Sequence, residues 1–206
     1  MITALTFTLK SKPAFKLDCS RLTPNGLAGL SITQIKNLSL TSSKNSAKVC
    51  DYFEVSGSEN ENIIFKNPSQ QLDFIGQKMS YGSIICQGDV GDRVGDQMRR
   101  GLILIDGGAG DYCGSRMVAG TIGVYGNVGK YAGFSMKRGT ILLNNKTNLH
   151  ATIQDCGTHN LPFLALLCQS FKTLPTQFNQ LKNQRAQRYA GDLACNGNGE
   201  ILLLCA

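Results

Sequence analysis

One stretch of the sequence has the residues of a nucleotide-binding loop. Residues 102–105 (LILI) predict a short strand, and residues 108–114 (GAGDYCG) follow with glycines close to the dinucleotide fingerprint. Such a loop must open a helix, because the N–H groups at the helix start hold the phosphates. The next residues carry Gly120, Gly123 and Gly126 instead, so no helix of useful length fits. We therefore expect these glycines to turn corners.

Cysteine and histidine are the other candidates for chemistry, with eight and two copies. No two cysteines have C-x-x-C spacing, so a zinc or iron–sulfur site is not predicted. Cys86 and Cys113 fall in apolar positions, where cysteine fills space. His150 and His159 have no carboxylate cluster beside them and are interpreted as structural or surface residues. We predict no catalytic residue and no metal ligand on this chain.

The charged residues indicate a surface rather than an active site. The formal net charge is +7, but the cations do not follow one helix face, so nucleic acid ranks behind a polyanionic ligand or an acidic partner. Arg99 and Arg100 recur two repeat units later as Lys137 and Arg138. Together with Arg93 they form the candidate ligand or partner surface. Neighbouring carboxylates lie next to glycines, which suits roles in turns: Asp89, Asp92, Asp96 and Asp111.

A nineteen-residue repeat must position these side chains. Its consensus, G-x-x-M-x-x-G-x-I, covers residues 76–143. The repeated methionines and first glycines are Met79, Met98, Met117 and Met136, with Gly76, Gly95, Gly114 and Gly133. A fixed period of this size indicates a solenoid, and the glycines are too frequent for helices. We predict an all-β dominated fold: a parallel β-helix, right-handed by analogy, in which each repeat forms one rung and the rungs stack at about 4.8 Å.

Stacked rungs turn each sequence column into a ladder of neighbouring side chains. The methionines and three further apolar columns should face the interior; these columns start at Ile75, Cys86 and Val90. A mixed ladder should face outward: Phe74, Arg93, Tyr112 and Tyr131. The two basic pairs should lie about 10 Å apart on one face.

Three regions are predicted to form one structural unit. Residues 1–75 form an N-terminal β-rich cap and leading rung, residues 76–143 form four rungs, and residues 144–206 form a C-terminal helical cap. In the leading rung Gly57 keeps the glycine column, but Asn60 replaces methionine.

Finer predictions concern the two caps. A half-buried strand should contain Leu5, Phe7 and Leu9, and a capping box should start a helix at Ser31. In the tail, helices are predicted over residues 162–171 and 176–188, with a final strand over 201–204. The start of the chain has no secretory apolar region, and the longest apolar run, residues 161–168, is too short to span a membrane. We expect a cytoplasmic protein with no membrane contact.

The repeat resembles that of the C subunit of formylmethanofuran dehydrogenase. The resemblance lies in residues 91–101 (GDRVGDQMRRG), 109–114 (AGDYCG) and 133–141 (GFSMKRGTI). The C-terminal β-helix domain of the glutamate synthase large subunit shares this repeat.

Both ends of the chain favour the C subunit over glutamate synthase. Residues 30–35 and 51–57 resemble its leader, and residues 188–194 and 199–202 resemble the tail of its methylotroph version. Archaeal relatives usually carry a longer run of rungs than the four found here.

The resemblance implies a scaffold in one-carbon metabolism. In methanogens this C subunit belongs to a molybdenum or tungsten enzyme that reduces carbon dioxide to formylmethanofuran. In methylotrophic bacteria the related complex passes a formyl group from formyl-tetrahydromethanopterin to a methanofuran-type cofactor and hydrolyses it to formate. The implied partners are an amidohydrolase-like A subunit, a B subunit and a formyltransferase D subunit, and the chemistry lies on them.

Two alternatives remain open beside this scaffold. The five cations could hold the polyanionic glutamyl tail of a methanofuran-type cofactor through charge-assisted bonds. A glutamate synthase-like linker domain would instead need a long partner chain.

Overall fold

The structure, a computed structural model, describes residues 3–40, 47–182 and 185–205. Strands dominate these ranges, as the sequence predicted. The elements are β1 (Ala4–Leu9), β2 (Leu17–Asp18), α1 (Pro24–Leu27), α2 (Ile32–Lys36), α3 (Val49–Tyr52), β3 (Phe53–Ser56), β4 (Glu59–Lys66), β5 (Leu72–Asp73), β6 (Ser83–Gln87), β7 (Leu102–Ile105), β8 (Thr121–Val124), β9 (Thr140–Leu143), β10 (Gln154–Asn160), α4 (Pro162–Phe171), β11 (Arg185–Gly191) and β12 (Gly199–Leu204).

One large sheet contains ten of the described strands, in the order β10-β11-β12-β9-β8-β7-β6-β4-β1-β3. Its centre is parallel, and Ser83 pairs with Leu102, Leu102 with Thr121, and Thr121 with Thr140. Each of these pairs is separated by one full period of the sequence repeat. Backbone bonds also join the turns of successive units, as from Gly95 N–H to the Ile75 carbonyl at 2.8 Å.

The methionine column fills space that the next unit leaves empty. All four methionines are fully buried. The Cε of Met79 lies 2.7 Å from where a side chain on Gly101 would begin, and Met98 and Met117 take the same place against Gly120 and Gly139. The methionine and the glycine of the consensus are therefore two halves of one contact between units.

Isoleucine and the first glycine of the consensus form a second contact of this kind. The Cδ1 of Ile122 lies 2.3 Å from where a Cβ on Gly95 would stand, and Ile141 lies 2.5 Å from that point on Gly114. Gly95 also has φ +64°, a conformation that favours glycine. The columns starting at Ile75 and Cys86 are buried throughout, as predicted; in the Val90 column, Val90 and Ala109 are buried and Val128 is half-buried.

The N-terminal region joins the same sheet with a different interval. Leu5, Phe7 and Leu9 are buried in β1, and the capping box at Ser31 is present, as predicted. Asn62 pairs with Ser83, however, an interval two positions longer than the repeat. The predicted alignment of Gly57 and Asn60 with the repeat is therefore wrong. Gly57 instead lets the Ala4 carbonyl approach, since a Cβ there would lie 2.2 Å from that oxygen.

The chain leaves the repeat after Leu143 and returns to it at β12. This strand pairs in parallel with β9, Glu200 opposite Thr140. A Cβ on Gly199 would lie 2.4 Å from Met136 Cε, the contact that the earlier glycines make. The final strand predicted over residues 201–204 is confirmed, and it supplies one more unit.

The tail between these points contains both helix and strand. The helix α4 covers the residues predicted for it and buries Leu164 and Phe171. The second predicted helix, over residues 176–188, is wrong: a 3-10 turn covers Gln177–Gln180 and β11 follows, while residues 183–184 lie outside the described ranges. Pairing of β11 with both β10 and β12 overrides local helix propensity.

The outer face of the sheet is covered by this tail. Phe178 packs on Gly123, where a Cβ would lie 2.8 Å from its ring, and Asp106 accepts a hydrogen bond from Gln177 N–H at 2.8 Å. None of the helices in the described ranges has the length and apolar character needed to cross a membrane.

Gly95→Ala is predicted to destabilise the protein by about 2–4 kcal/mol, because the new Cβ overlaps Ile122 and the left-handed backbone adds strain. Gly29→Ala is the matched control. Gly29 has φ +74° and no atom within 4 Å of a Cβ, so only about 1 kcal/mol of strain is expected. Urea unfolding measures both.

Ile122→Val removes the methyl group that Gly95→Ala would overlap. The double variant should therefore lose less stability than the two single variants summed. Strict additivity, or equal losses for Gly95→Ala and Gly29→Ala, would contradict the contact between units.

Candidate functional site

The outward ladder predicted from the sequence forms a line of contacting rings and charge. The Arg93 guanidinium carbon lies 4.8 Å from the centre of the Tyr112 ring and 6.0 Å from that of Phe74. Tyr112 and Tyr131 stack with centres 5.0 Å apart and planes 17° apart. Each such cation–ring contact contributes about 0.5–1 kcal/mol at an exposed site. Arg93 is therefore held by its neighbours.

The other four predicted cations lie in the turns that precede two strands. Arg99 and Arg100 come before β7, Lys137 and Arg138 come before β9, and all four are exposed. The Arg99 and Lys137 N–H groups donate to the Met79 and Met117 carbonyls, both at 2.8 Å.

These four side chains form no ion pair with any described residue. Arg93 contacts the aromatic ladder instead and belongs to a separate contact group. The role of these five residues stays a prediction.

A buried carboxylate lies in the turn between these two groups. Asp96 accepts hydrogen bonds from Arg116 Nη2 at 2.6 Å, Arg116 Nε at 3.0 Å and Ser115 Oγ at 2.7 Å. Gln77 and Gln97 donate to it as well. Asp96 lies in a turn, as predicted, but its side chain is wholly buried and bonds to side chains of three successive units, a role that the prediction did not include.

The pKa of Asp96 follows from these contacts. Burial alone would raise the pKa of this carboxyl, but the hydrogen bonds from Arg116, Ser115 and the two glutamines outweigh burial and hold the pKa below its ordinary value. Asp96 is ionised at neutral pH and fixes the Arg116 side chain.

The other carboxylates predicted for turns, Asp89, Asp92 and Asp111, lie between the strands, and each accepts a backbone N–H of the next unit, as Asp73 in β5 does as well. Asp73 Oδ1 accepts from Asp92 N–H at 2.8 Å, Asp92 Oδ1 from Asp111 N–H at 2.9 Å, and Asp111 Oδ1 from Lys130 N–H at 2.7 Å. Lys16 Nζ lies 2.8 Å from Asp73 Oδ1. These carboxylates are used in joining one unit to the next.

A glycine-walled groove of about 510 Å³ lies beside these carboxylates, and Lys16, Asn127 and Asn145 also line it. Its glycines are explained by the packing of the units. A Cβ on Gly110 would lie 2.1 Å from Asp92 Oδ1, and one on Gly129 would lie 2.3 Å from Asp111 Oδ1.

Residues 108–114, the nucleotide-like stretch, do not open a helix. Turns and then β8 follow them. Gly114 has φ +69° and lies in one of these turns. The prediction of corner glycines is confirmed.

Two cysteines of the repeat and His150 have structural surroundings. Burial raises the pKa of the Cys113 thiol to about 12 and that of Cys86 further, so both stay protonated. The His150 ring packs 5.6 Å from Tyr131 and 5.9 Å from Phe134, centre to centre. Within residues 3–40, 47–182 and 185–205, no three His, Cys, Asp or Glu side chains are grouped as metal ligands.

Curated relatives connect this chain with C subunits of two related complexes. It is 32% identical over 89 residues to the C subunit of the formyltransferase/hydrolase complex Fhc of Methylorubrum extorquens, covering 43% of this chain and 34% of the relative. It is 34% identical over 91 residues to the C subunit of the tungsten-containing formylmethanofuran dehydrogenase 2 of Methanothermobacter wolfeii, again over 34% of the relative. The matched stretch thus spans about a third of each relative's length. No family model matches the chain.

A solved structure extends the likeness to nearly the whole chain. A chain of the formyltransferase/hydrolase complex FhcABCD from Methylorubrum extorquens, crystallised with methylofuran, superposes with a TM-score of 0.57 and 26% identity. The match covers 98% of this chain and 100% of that one. The resemblance to these C subunits is therefore confirmed.

The two cysteines of the repeat, Cys86 and Cys113, do not fit a metal such as the tungsten in the name of the Methanothermobacter relative. A thiol must be deprotonated to bind a metal, and burial keeps Cys86 and Cys113 protonated. No reaction step through a metal follows from this chain's residues.

Asp96→Asn is predicted to lower stability by about 2–3 kcal/mol at pH 7, because it removes the charge that Arg116 and three other side chains surround. The folded pKa of Asp96 is lowered, so the stability from its ionised form is present above the unfolded pKa of about 4 and lost as the pH falls. The gap between wild type and variant should narrow below pH ~4.

The control is Asp89→Asn, which removes an exposed charge and leaves an oxygen to accept from Gly108 N–H. This control should be nearly neutral. Urea unfolding between pH 3 and pH 7 measures the gap, and a gap that stays constant or widens in acid would show that the Asp96 charge does not stabilise the fold.

Proposed function

We propose that this chain is the C subunit of a formyltransferase/hydrolase-type complex in the cytoplasm. The observation that carries the proposal is the match to a chain of the FhcABCD structure along almost the whole sequence. Partner subunits would transfer the formyl group from formyl-tetrahydromethanopterin to a methanofuran-type cofactor and hydrolyse it to formate. A molybdenum or tungsten pterin would enter only in a dehydrogenase form. The partners would be an amidohydrolase-like A subunit, a B subunit and a formyltransferase D subunit.

In this proposal the repeat is a right-handed parallel β-helix that serves as a rigid scaffold. Parallel pairing at a constant interval of one repeat supports the stacking of the units, as do backbone bonds between the turns of successive units; the hand is proposed by analogy with the relatives. The three regions, residues 1–75, 76–143 and 144–206, would act as one unit. A continuous apolar core from Leu5 to Ile201 supports that organisation.

The scaffold role assigns no catalytic residue to this chain. This assignment is supported by the carboxylates of the repeat, which already accept hydrogen bonds within the fold. Asp73, Asp92 and Asp111 accept backbone N–H groups of the next unit, and Asp96 is surrounded by donors. A catalytic acid or base needs a free proton position. Hydrogen bonds use both oxygens of Asp96, and they use Oδ1 of each of the other three carboxylates.

A second candidate function is the binding of a polyanionic cofactor tail. It is favoured by the exposed pairs Arg99–Arg100 and Lys137–Arg138, whose charges no described carboxylate neutralises. Arg99→Glu combined with Arg138→Glu should then weaken binding of a polyglutamate peptide at low salt by at least about tenfold. Unchanged affinity would remove this candidate.

The curated relatives are C subunits of such complexes, which favours the complex over a glutamate synthase-like linker.

Affinity purification of the tagged chain from its own cells tests the proposed assignment to the complex. In moderate salt we predict that a formyltransferase and an amidohydrolase-like subunit co-purify in amounts near equal to the chain. Mass spectrometry identifies and quantifies them. An unrelated protein with the same tag is the control.

Two other outcomes of this purification are informative. A molybdopterin-type subunit with bound tungsten or molybdenum would change the assignment to the dehydrogenase form. A chain that is recovered folded and alone would overturn the assignment to a complex.

A further inference from the structure

Within the repeat, the positive and the negative side chains lie in different segments. Four segments of equal length, here called the basic segments, precede the strands: residues 74–81, 93–100, 112–119 and 131–138. They contain seven lysines and arginines and one acid, Asp96. The rest of the units, over residues 82–92, 101–111 and 120–130, contains four aspartates and one lysine.

The basic segments form one continuous surface. Lys78 N–H donates to the Asp96 carbonyl at 2.9 Å, Gln97 N–H to Ser115 at 2.9 Å, and Arg116 N–H to Phe134 at 2.7 Å. These bonds join each segment to the next. The surface, called the basic face, is therefore about 15 Å high at the ordinary strand spacing.

The single acid of the basic segments does not reach the surface. The Asp96 side chain is wholly buried and paired with Arg116. Six cations have no ion pair with any described residue: Lys78, Arg93, Arg99, Arg100, Lys137 and Arg138. The outward charge of this face is thus strongly positive.

Exposed apolar side chains gather on the same face. Eight large apolar residues are exposed among those described, and four lie in the basic segments: Tyr81, Val118, Tyr131 and Phe134. Val118 is 44% exposed and occupies the same column as Arg99 and Lys137. A site for a free polyanion needs only charge, whereas arginine with tyrosine and phenylalanine is typical of protein–protein interfaces.

We propose that the basic face is a docking surface for a partner subunit that presents an acidic, partly apolar surface. This inference rests on the proposed function and adds to it the face by which the chain joins its complex. The cations would pair with carboxylates of the partner and steer its approach. The exposed apolar side chains would lose water on docking, and packed aromatic and arginine anchors contribute much of the binding energy of such interfaces.

The test uses the full tagged chain purified from its own cells, as wild type and as two variants. Arg99→Glu with Arg138→Glu should reduce the amount of co-purified partner subunits at least about tenfold. Lys146→Glu with Lys172→Glu changes the net charge equally, at exposed positions outside the basic face, and should retain the partners.

The variant Val118→Arg distinguishes a packed protein–protein interface from a site that binds a polyanion by charge alone. It adds a positive charge but places a long side chain in the middle of the face. An interface should lose partner retention at least about tenfold, whereas a free polyanion such as polyglutamate should bind as well or better. Leu166→Arg, at a residue 75% exposed on α4, is the matched control.

The outcomes separate this inference from the proposed function. If the wild type retains no partner, the proposed function fails and the docking surface fails with it. If the wild type and both basic-face variants retain the same partners equally, only the docking surface is wrong. Recovery of nuclease-sensitive nucleic acid on the wild type and not on Arg99→Glu with Arg138→Glu would also overturn it. Circular dichroism of each variant confirms that a loss is not unfolding.

Discussion

Contact between a large side chain of one unit and a glycine of its neighbour is the constraint on which this structure depends. Met79 lies where a Cβ on Gly101 would begin, and Ile122 lies where one on Gly95 would begin. A column of large side chains without the matching column of glycines would not fix the spacing between units. Because the two must match in every unit, the period of the repeat is fixed, and with it the stacking of every column on the surface.

The side chains of the outer surface are stacked at the same period, and the turns that carry them have strained backbone. Arg93, Tyr112 and Tyr131 have φ close to +60°, a conformation that costs a residue with a side chain about 1–2 kcal/mol. Stacking of the rings and the Asp96 network beside them hold these turns in place. Strained positions of this kind often lie at functional surfaces. Here they project the cations and aromatic rings of the basic face.

The interior of the repeat could be predicted from the sequence because it depends on local spacing. Periodic methionine, glycine and isoleucine predict the strands, their period and the buried columns. The role of Asp96 could not be predicted in this way, because its partners Ser115 and Arg116 lie in the next unit and do not recur as a column. The sequence also did not predict that the chain rejoins the repeat at Gly199. The whole tail separates this glycine from its equivalent, Gly139, so no fixed spacing connects them. Both features depend on contacts that no fixed spacing reveals.

In the tail, strand pairing overrides local helix propensity in one segment and not in the other. Residues 162–171 have apolar positions on one helical side and form α4. In the second segment predicted as a helix, Ala186 and Gln187 pair with β10 on one side and β12 on the other. The exposed cations were found from their spacing. Only the structure shows which aromatic side chains accompany them: Tyr131 and Phe134 pack on Tyr112, whose ring also contacts Arg93.

Electron cryo-microscopy of the complex purified through this chain tests the central claim most directly. We predict that the map shows the chain bound to formyltransferase-type and amidohydrolase-type subunits, with Arg99, Val118 and Arg138 buried against an acidic partner surface. A map in which the chain contacts these subunits through another face, with the basic face open to solvent, would contradict the docking surface. A preparation that contains this chain alone would contradict the scaffold role itself.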